Sequence, residues 1–233
     1  MEGQRRRHIV DCTIRVLARD GAAGTSLSRV AAEAKVAKGI ICYYFGSKDG
    51  LFDAVLANVR ERVLAAAIAA ASAERDCWAR ISAFVTAHLT YVRNHRTEIL
   101  ALRHLAATRA GGSEVTDHLS IWRQQQAWLI EELSAGQRGG AFRPFDPAVV
   151  ATAVSGALES GLLRWAHDPS TDLDLYTHQL LALFEGGVKG EADSDSAPSP
   201  RWQSRLGRRR RAFMLARRAS RLSSKTKSDV LAR

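Results

Sequence analysis

Residues 26–45 read SLSRVAAEAKVAKGIICYYF, and this stretch decides the fold. Leu27, Val30, Ala31 and Ala34 recur at helical spacing and form one short apolar stripe, too short to hold a helix without tertiary packing. A tight connection at Lys35-Val36-Ala37 leads to a second short helix, from about Ala37 to Phe45, which Gly46-Ser47 breaks. Two short helices joined by a turn of three or four residues form the helix-turn-helix arrangement. Its second helix lies in the major groove of DNA and its first crosses the phosphate backbone.

Each position in the stretch has a physical use. Ser26 stands at the N-cap with Thr25 beside it, so their hydroxyls and the open N–H groups of the helix start suit a phosphate oxygen. Ser28 and Arg29 lie opposite Val30 and Ala31, where Arg29 can reach phosphate or a base edge. Ala31 is small enough to let the two helices approach, and Val36 points inward. Ala37, Lys38, Gly39 and Ile40 form the first turn of the second helix, the turn that meets the bases. Gly39 is a poor helix former, which suits close approach of DNA. Cys42, Tyr43 and Tyr44 follow one turn later, and Lys48 opens the next helix as a further phosphate clamp. Tyr44 and Phe45 are adjacent and cannot share a face, so Phe45 is expected in the core. Of Tyr43 and Tyr44, one is expected to pack and the other to face DNA.

Outward from this stretch the helical period continues. Ile9, Val10, Ile14 and Leu17 make an earlier stripe, ended by Gly21 and Gly24. Ser47 or Lys48 opens a long helix carrying Leu51, Phe52, Val55, Leu56, Val59 and Val63. Further helices are expected at about 76–94, 96–108, 113–134, 146–167 and 172–188, punctuated by Gly111-Gly112, Gly136 to Pro144, and Asp168-Pro169. No strand or internal repeat is legible. The expected architecture is all-α: an N-terminal three-helix helix-turn-helix domain (1–47), a larger helical regulatory and dimerisation domain (48–190), and a basic tail (191–233).

The tail dominates the charge. The chain carries +10 overall, but residues 191–233 alone hold ten Arg and two Lys against Glu191, Asp193, Asp195 and Asp229. Residues 193–200 read as a linker. The segment beyond is expected to be disordered or a marginal basic helix, adding non-specific DNA affinity by counterion release or touching an anionic membrane. The argument for specific DNA binding therefore rests on the N-terminus. No apolar run approaches the ~20 residues of a membrane span, and the start lacks a signal-peptide pattern, so a cytoplasmic protein is expected. Cys12, Cys42 and Cys77 show no metal-ligand spacing and are expected to be reduced and mostly buried. An enzyme would need chemistry that is missing: there is no phosphate loop, nucleophile elbow or HExxH.

Residues 9–56, from IVDCTIRVLARDG through TSLSRVAAEAKVAKGIICYYFGSKDGLFDAVL, resemble the DNA-binding domain of the TetR family. The family's V-S-K-G-x-[LI]-Y-x-Y-F-x-S-K-E-x-L run is matched by Val36, Lys38, Gly39, Ile41, Tyr44, Phe45, Ser47, Lys48 and Leu51. Departures are Ala37 for serine, Lys35 for the turn glycine, Cys42 for tyrosine, and Tyr43 for histidine. The resemblance covers about a fifth of the chain. It implies a homodimer on a pseudo-palindromic operator with half-sites about one DNA turn apart, more often a repressor than an activator, and released by a small-molecule effector. No cofactor is implied.

The resemblance also implies an effector pocket within about 76–167 and a dimer interface made by the last two helices. Phe84, His88, Tyr91, His104, Trp122, Gln126, Trp128 and Trp165 are the candidate lining residues, with Arg103 and Arg123 as partners for an anionic effector. Ala153, Gly156, Ala157, Ser160 and Gly161 form a small-residue stripe suited to close helix packing. His88, Tyr91 and His95 share a helix face, but no carboxylate or cysteine completes a metal site. The competing function class is a basic peripheral nucleoid- or membrane-associated protein acting through its tail.

Overall fold

Ile9, Val10, Ile14 and Leu17 are all buried along α1 (Glu2–Gly24), but on two different cores. Ile9 and Cys12 join Val30, Ala31, Ala34, Ile41 and Leu51 in a small apolar cluster, whereas Val10, Ile14 and Leu17 belong to a much larger one. Helix α1 thus serves the helix-turn-helix on one side and the rest of the body on the other. The computed structural model describes residues 2–108 and 116–189, with side chains for 2–106 and 121–189. The chain divides into two units, Met1–Gly190 and Glu191–Arg233. The linker and basic-tail expectations lie outside the described residues, as does the expected start of the helix at Ser113.

Helix α2 (Leu27–Ala34) is capped as the sequence requires: the Ser26 hydroxyl accepts from the Arg29 N–H at 3.2 Å. Its far end is closed by Lys35 at φ 53°, ψ 44°, with Lys35 N–H reaching Ala32 O and Val36 N–H reaching Ala31 O. Lysine therefore adopts the left-handed geometry that glycine accepts without strain. Helix α3 (Lys38–Phe45) follows after Ala37 and ends at Gly46, φ 70°. Helix α4 (Lys48–Ser72) starts on Ser47, whose hydroxyl accepts from Gly50 N–H at 3.0 Å. Gly50 is required there: a Cβ would collide with the Phe45 carbonyl oxygen.

Helices α5 (Cys77–Asn94), α6 (Arg96–Thr108), α7 (Thr116–Arg138), α8 (Pro147–His167) and α9 (Leu173–Lys189) complete the described body, with no strand among the described residues. The carboxylates of Asp76 and Asp146 cap α5 and α8, and proline at the first position of α8 gives up only an N–H that would be unpaired anyway. One boundary differs from the sequence reading. Helix α7 continues past Ser134 to Arg138 because Gly136 stays helical, its bare face taking the Phe142 ring. The cysteines differ too. Cys12 is buried and Cys77 half-buried, but Cys42 is exposed on α3.

Candidate functional site

Helix α3 buries only Ile41, with Ile40, Tyr44 and Phe45 half-buried against the cores. Its other face is bare: Lys38, Gly39, Cys42 and Tyr43 are exposed, Tyr43 by 76%. That exposure gives the monomer nothing, since a ring in water forfeits the burial that stabilises a core aromatic. Tyr44 thus packs and Tyr43 faces out. A Cβ on Gly39 would meet nothing within 4 Å, so no contact among the described residues requires glycine there. Ala37 supplies no side-chain cap; the Ile40 N–H is held by Ala37 O at 2.9 Å, and the positive end of the helix carries exposed Lys38 and Gly39.

Ser26, Ser28 and Arg29 are exposed beside α3. The Arg29 guanidinium donates to Gly24 O at 2.9 Å and lies 3.4 Å from the Asp20 carboxylate. Arg19 holds the same carboxylate at 2.9 Å, and its hydrogen bond, with the charges of Arg19 and Arg29, keeps Asp20 below the usual carboxylate range. Lys48 Nζ donates to Ala22 O at 3.2 Å and stands 5.2 Å from the Phe52 ring centroid, closing the negative end of α1. Thr25 departs from the sequence reading. It is buried, and its hydroxyl donates to Gly21 O at 2.7 Å, so it fixes the bend at Gly21 (φ 69°) instead of presenting oxygen to solvent.

The effector candidates separate into three groups. Phe84, His88, Gln126 and Trp165 are buried in the helical body. Phe84 stacks on Trp128 with centroids 4.5 Å apart, and the His88 ring lies 6.3 Å from Phe84. Tyr91, Arg103 and His104 are committed to joints between helices. Tyr91 donates to Glu98 at 2.7 Å, Arg103 donates to Ala166 O at the end of α8 at 2.6 Å, and His104 lies against Gly21. Trp122 is 44% exposed and Arg123 is exposed. Burial, reinforced by the charge of Arg60, lowers the His88 pKa to about 4.

Arg60 is a residue the sequence reading missed. It sits one turn from Leu56 and Leu64, both buried, and a lone cation on an apolar stripe was the available signal. Its Nη2 lies 3.4 Å from Glu159 of α8, while its Nε, like His88 Nδ1, is buried with no partner among the described residues. Arg62, also missed, donates to Asp11 of α1 at 2.6 Å and to Glu98 of α6 at 3.2 Å.

The small-residue stripe on α8 is not one surface. Ala153, Gly156 and Ser160 are exposed, flanked by exposed Val149 and Leu163. Gly161 is buried: a Cβ there would stand 2.8 Å from the Tyr176 ring and 3.2 Å from Leu89. Tyr176 of α9 also donates its hydroxyl to Ala157 O at 2.7 Å. Ala157 and Gly161 therefore serve packing within the chain, and the outward face continues onto α9 at Leu175 and Leu183. Among the described residues, no group of three or more His, Cys, Asp and Glu is placed to hold a metal ion, and no helix is long and apolar enough to cross a membrane.

Comparison with known proteins places these features. Residues 9–55 match the family model described as bacterial regulatory proteins, tetR family. Over 85 residues the chain is 38% identical to the HTH-type transcriptional regulator BetI of Burkholderia thailandensis, a match covering 36% of this chain and 44% of that protein. The chain thus matches less than half the length of this curated relative. Among solved structures, the transcriptional regulator FadR from Bacillus subtilis, in complex with stearoyl-CoA, superposes with a TM-score of 0.68 at 17% identity, covering 76% of this chain and 96% of that one. The fatty acid degradation regulator FadR from Bacillus halodurans gives 0.69 at 20% identity over 78% and 98%. At these identities the structural likeness speaks for the fold.

Proposed function

We propose that this chain, whose residues 9–55 match the family model of bacterial regulatory proteins, tetR family, is a sequence-specific transcriptional regulator of the cytoplasm. It represses by holding a palindromic operator and lets go when a small molecule enters its helical body. Residues 1–47 bind DNA, 48–190 bind effector and partner subunit, and 191–233 add non-specific attraction for DNA. The observation that carries the reading is the outward face of α3, with Tyr43 exposed and Gly39 bare beside Lys38.

In this account α3 enters the major groove. Lys38, Tyr43 and Cys42 meet base edges there, and Gly39 lets the backbone approach. Ser26, Ser28, Arg29 and Lys48 hold phosphates on either side and fix the register. Thr25 contributes by holding the bend that presents Ser26. Two chains pair through the exposed apolar residues of α8 and α9, Val149, Leu163, Leu175 and Leu183, which gives the two-fold symmetry a palindrome needs. The stearoyl-CoA bound to one structural neighbour supports an effector with a long apolar portion in the helical body. Helix α4 links that body to α3, because it begins at Lys48 against α1 and α3.

The test is selection of bound sequences from a random duplex pool by the full chain. An enriched pseudo-palindrome supports the reading. Binding without enrichment, abolished by raised salt, means that the basic tail and not α3 dominates.

A further inference from the structure

His88 is 7% exposed in the middle of α5, and its Nδ1 has no hydrogen-bond partner among the described residues. On α4, Arg60 Nε is buried and equally unpartnered. An unmet polar atom in the interior bears its full desolvation penalty, so a pair of them on neighbouring helices calls for a group that satisfies both. Helices α4 and α5 pack along each other, and the charge of Arg60 reaches His88, whose pKa is lowered by burial and by that charge.

Two glutamines of α7 that reach α8 are already paired. Gln125 donates to Ser155 at 2.9 Å, and Gln126 reaches Ala151 O at 3.4 Å. The other two buried unpartnered atoms, Asn58 Oδ1 and Ser82 Oγ, lie on different faces of the same helices, because Asn58 is two positions from Arg60 and Ser82 six from His88. What remains is a pair of donors: Arg60 Nε–H, whose Nη2 is turned to Glu159, and one N–H of a neutral imidazole. A guanidinium edge beside a second N–H is chemistry for a carboxylate, which accepts on two oxygens. The wall beyond is apolar, formed by Phe84 stacked on Trp128.

We propose that the helical body takes an amphipathic monocarboxylate, its carboxylate accepting from Arg60 Nε and His88 and its apolar portion lying along Phe84 and Trp128. This inference rests on the regulator reading above and names the effector class that reading leaves open. Glu159 competes for the same guanidinium. The incoming carboxylate therefore weakens the Arg60–Glu159 link between α4 and α8, and α4 is the helix that carries Lys48 and Arg62 toward the DNA-binding domain.

The test uses the full chain without DNA. Saturated monocarboxylates from butanoate to hexadecanoate are titrated by calorimetry and tryptophan fluorescence, each beside its primary alcohol and its coenzyme A thioester. The expected result is saturable binding of a carboxylate roughly tenfold or more tighter than the matching alcohol. Arg60→Gln and His88→Phe abolish that preference, and Glu159→Gln strengthens it by freeing the guanidinium. His88→Phe also holds or raises the thermal midpoint, whereas a purely structural histidine would lower it. The opposite signs at Arg60 and Glu159 keep the test decisive even where one variant folds poorly. The proposal is overturned if no carboxylate saturates the protein, if alcohols bind as well as acids, or if thioesters bind where free acids do not. Because binding is read without DNA, failure to find an operator sinks the regulator reading and leaves the site's selectivity to stand or fall alone.

Discussion

Arg62 of α4 donates to the Asp11 carboxylate of α1 across 2.6 Å, while its other Nη holds Glu98 of α6 at 3.2 Å. One guanidinium thus joins the helix that supports α3 to two helices of the larger body. Tyr91 adds a third, donating to the same Glu98, and this hydrogen bond together with burial pushes its pKa up. Such a joint gives a signal from the body a physical route to α1.

Replacing Arg62 with Met takes the cation from Glu98, whose side chain is only 14% exposed, and leaves that carboxylate the Tyr91 hydroxyl. The expected loss is about 1–3 kcal/mol, less any share that solvent already screens. Urea unfolding reads it, and a variant as stable as the parent would show that the joint contributes nothing.

Gly50 faces the Phe45 carbonyl so closely that a Cβ collides with backbone, which cannot give way like a side chain. Gly50→Ala is therefore expected to cost about 2–4 kcal/mol and to displace α3 relative to α4. Denaturant midpoints check the first part. Unchanged stability would mean that the α3–α4 turn relaxes freely.

Lys35 predicts the opposite sign. Its left-handed geometry strains any residue with a Cβ, so Lys35→Gly should stabilise the fold by about 0.5–1 kcal/mol after the entropy glycine adds to the unfolded chain. A fall in stability would place a lysine contact above backbone strain.

How much of this was legible in the sequence depended on how local the cause was. Ser26, Asp76 and Asp146 cap helices through atoms three residues away or fewer, and residues 26–45 announce the helix-turn-helix by spacing and residue types together. Thr25 misled because its hydroxyl bonds back to Gly21 across a bend that the sequence does not display. Gly161 misled because its close neighbour is Tyr176 of α9, a partner only tertiary structure supplies. Arg60 and Arg62 fall on the same helix two residues apart yet serve different helices, Glu159 of α8 for one and Asp11 and Glu98 for the other. No periodicity assigns such partners.

Stability should also depend on pH through His88. Its folded pKa lies near 4, below the ordinary 6.5, so between these values the unfolded chain binds a proton that the folded chain refuses. The contribution is fully present above about pH 6.5 and is lost as pH falls toward 4, on the order of 3 kcal/mol in all. His88→Phe should remove that part of the slope. Parallel profiles for parent and variant would show that His88 does not drive it.

The central claim is that the exposed face of α3 reads DNA, and Tyr43 tests it most directly because its ring is 76% exposed and carries little of the fold. Fluorescence anisotropy with an enriched duplex should show Tyr43→Ala binding roughly tenfold or more weaker, with an unchanged thermal midpoint. Equal affinity of variant and parent for that duplex would contradict the account and move recognition elsewhere in the chain.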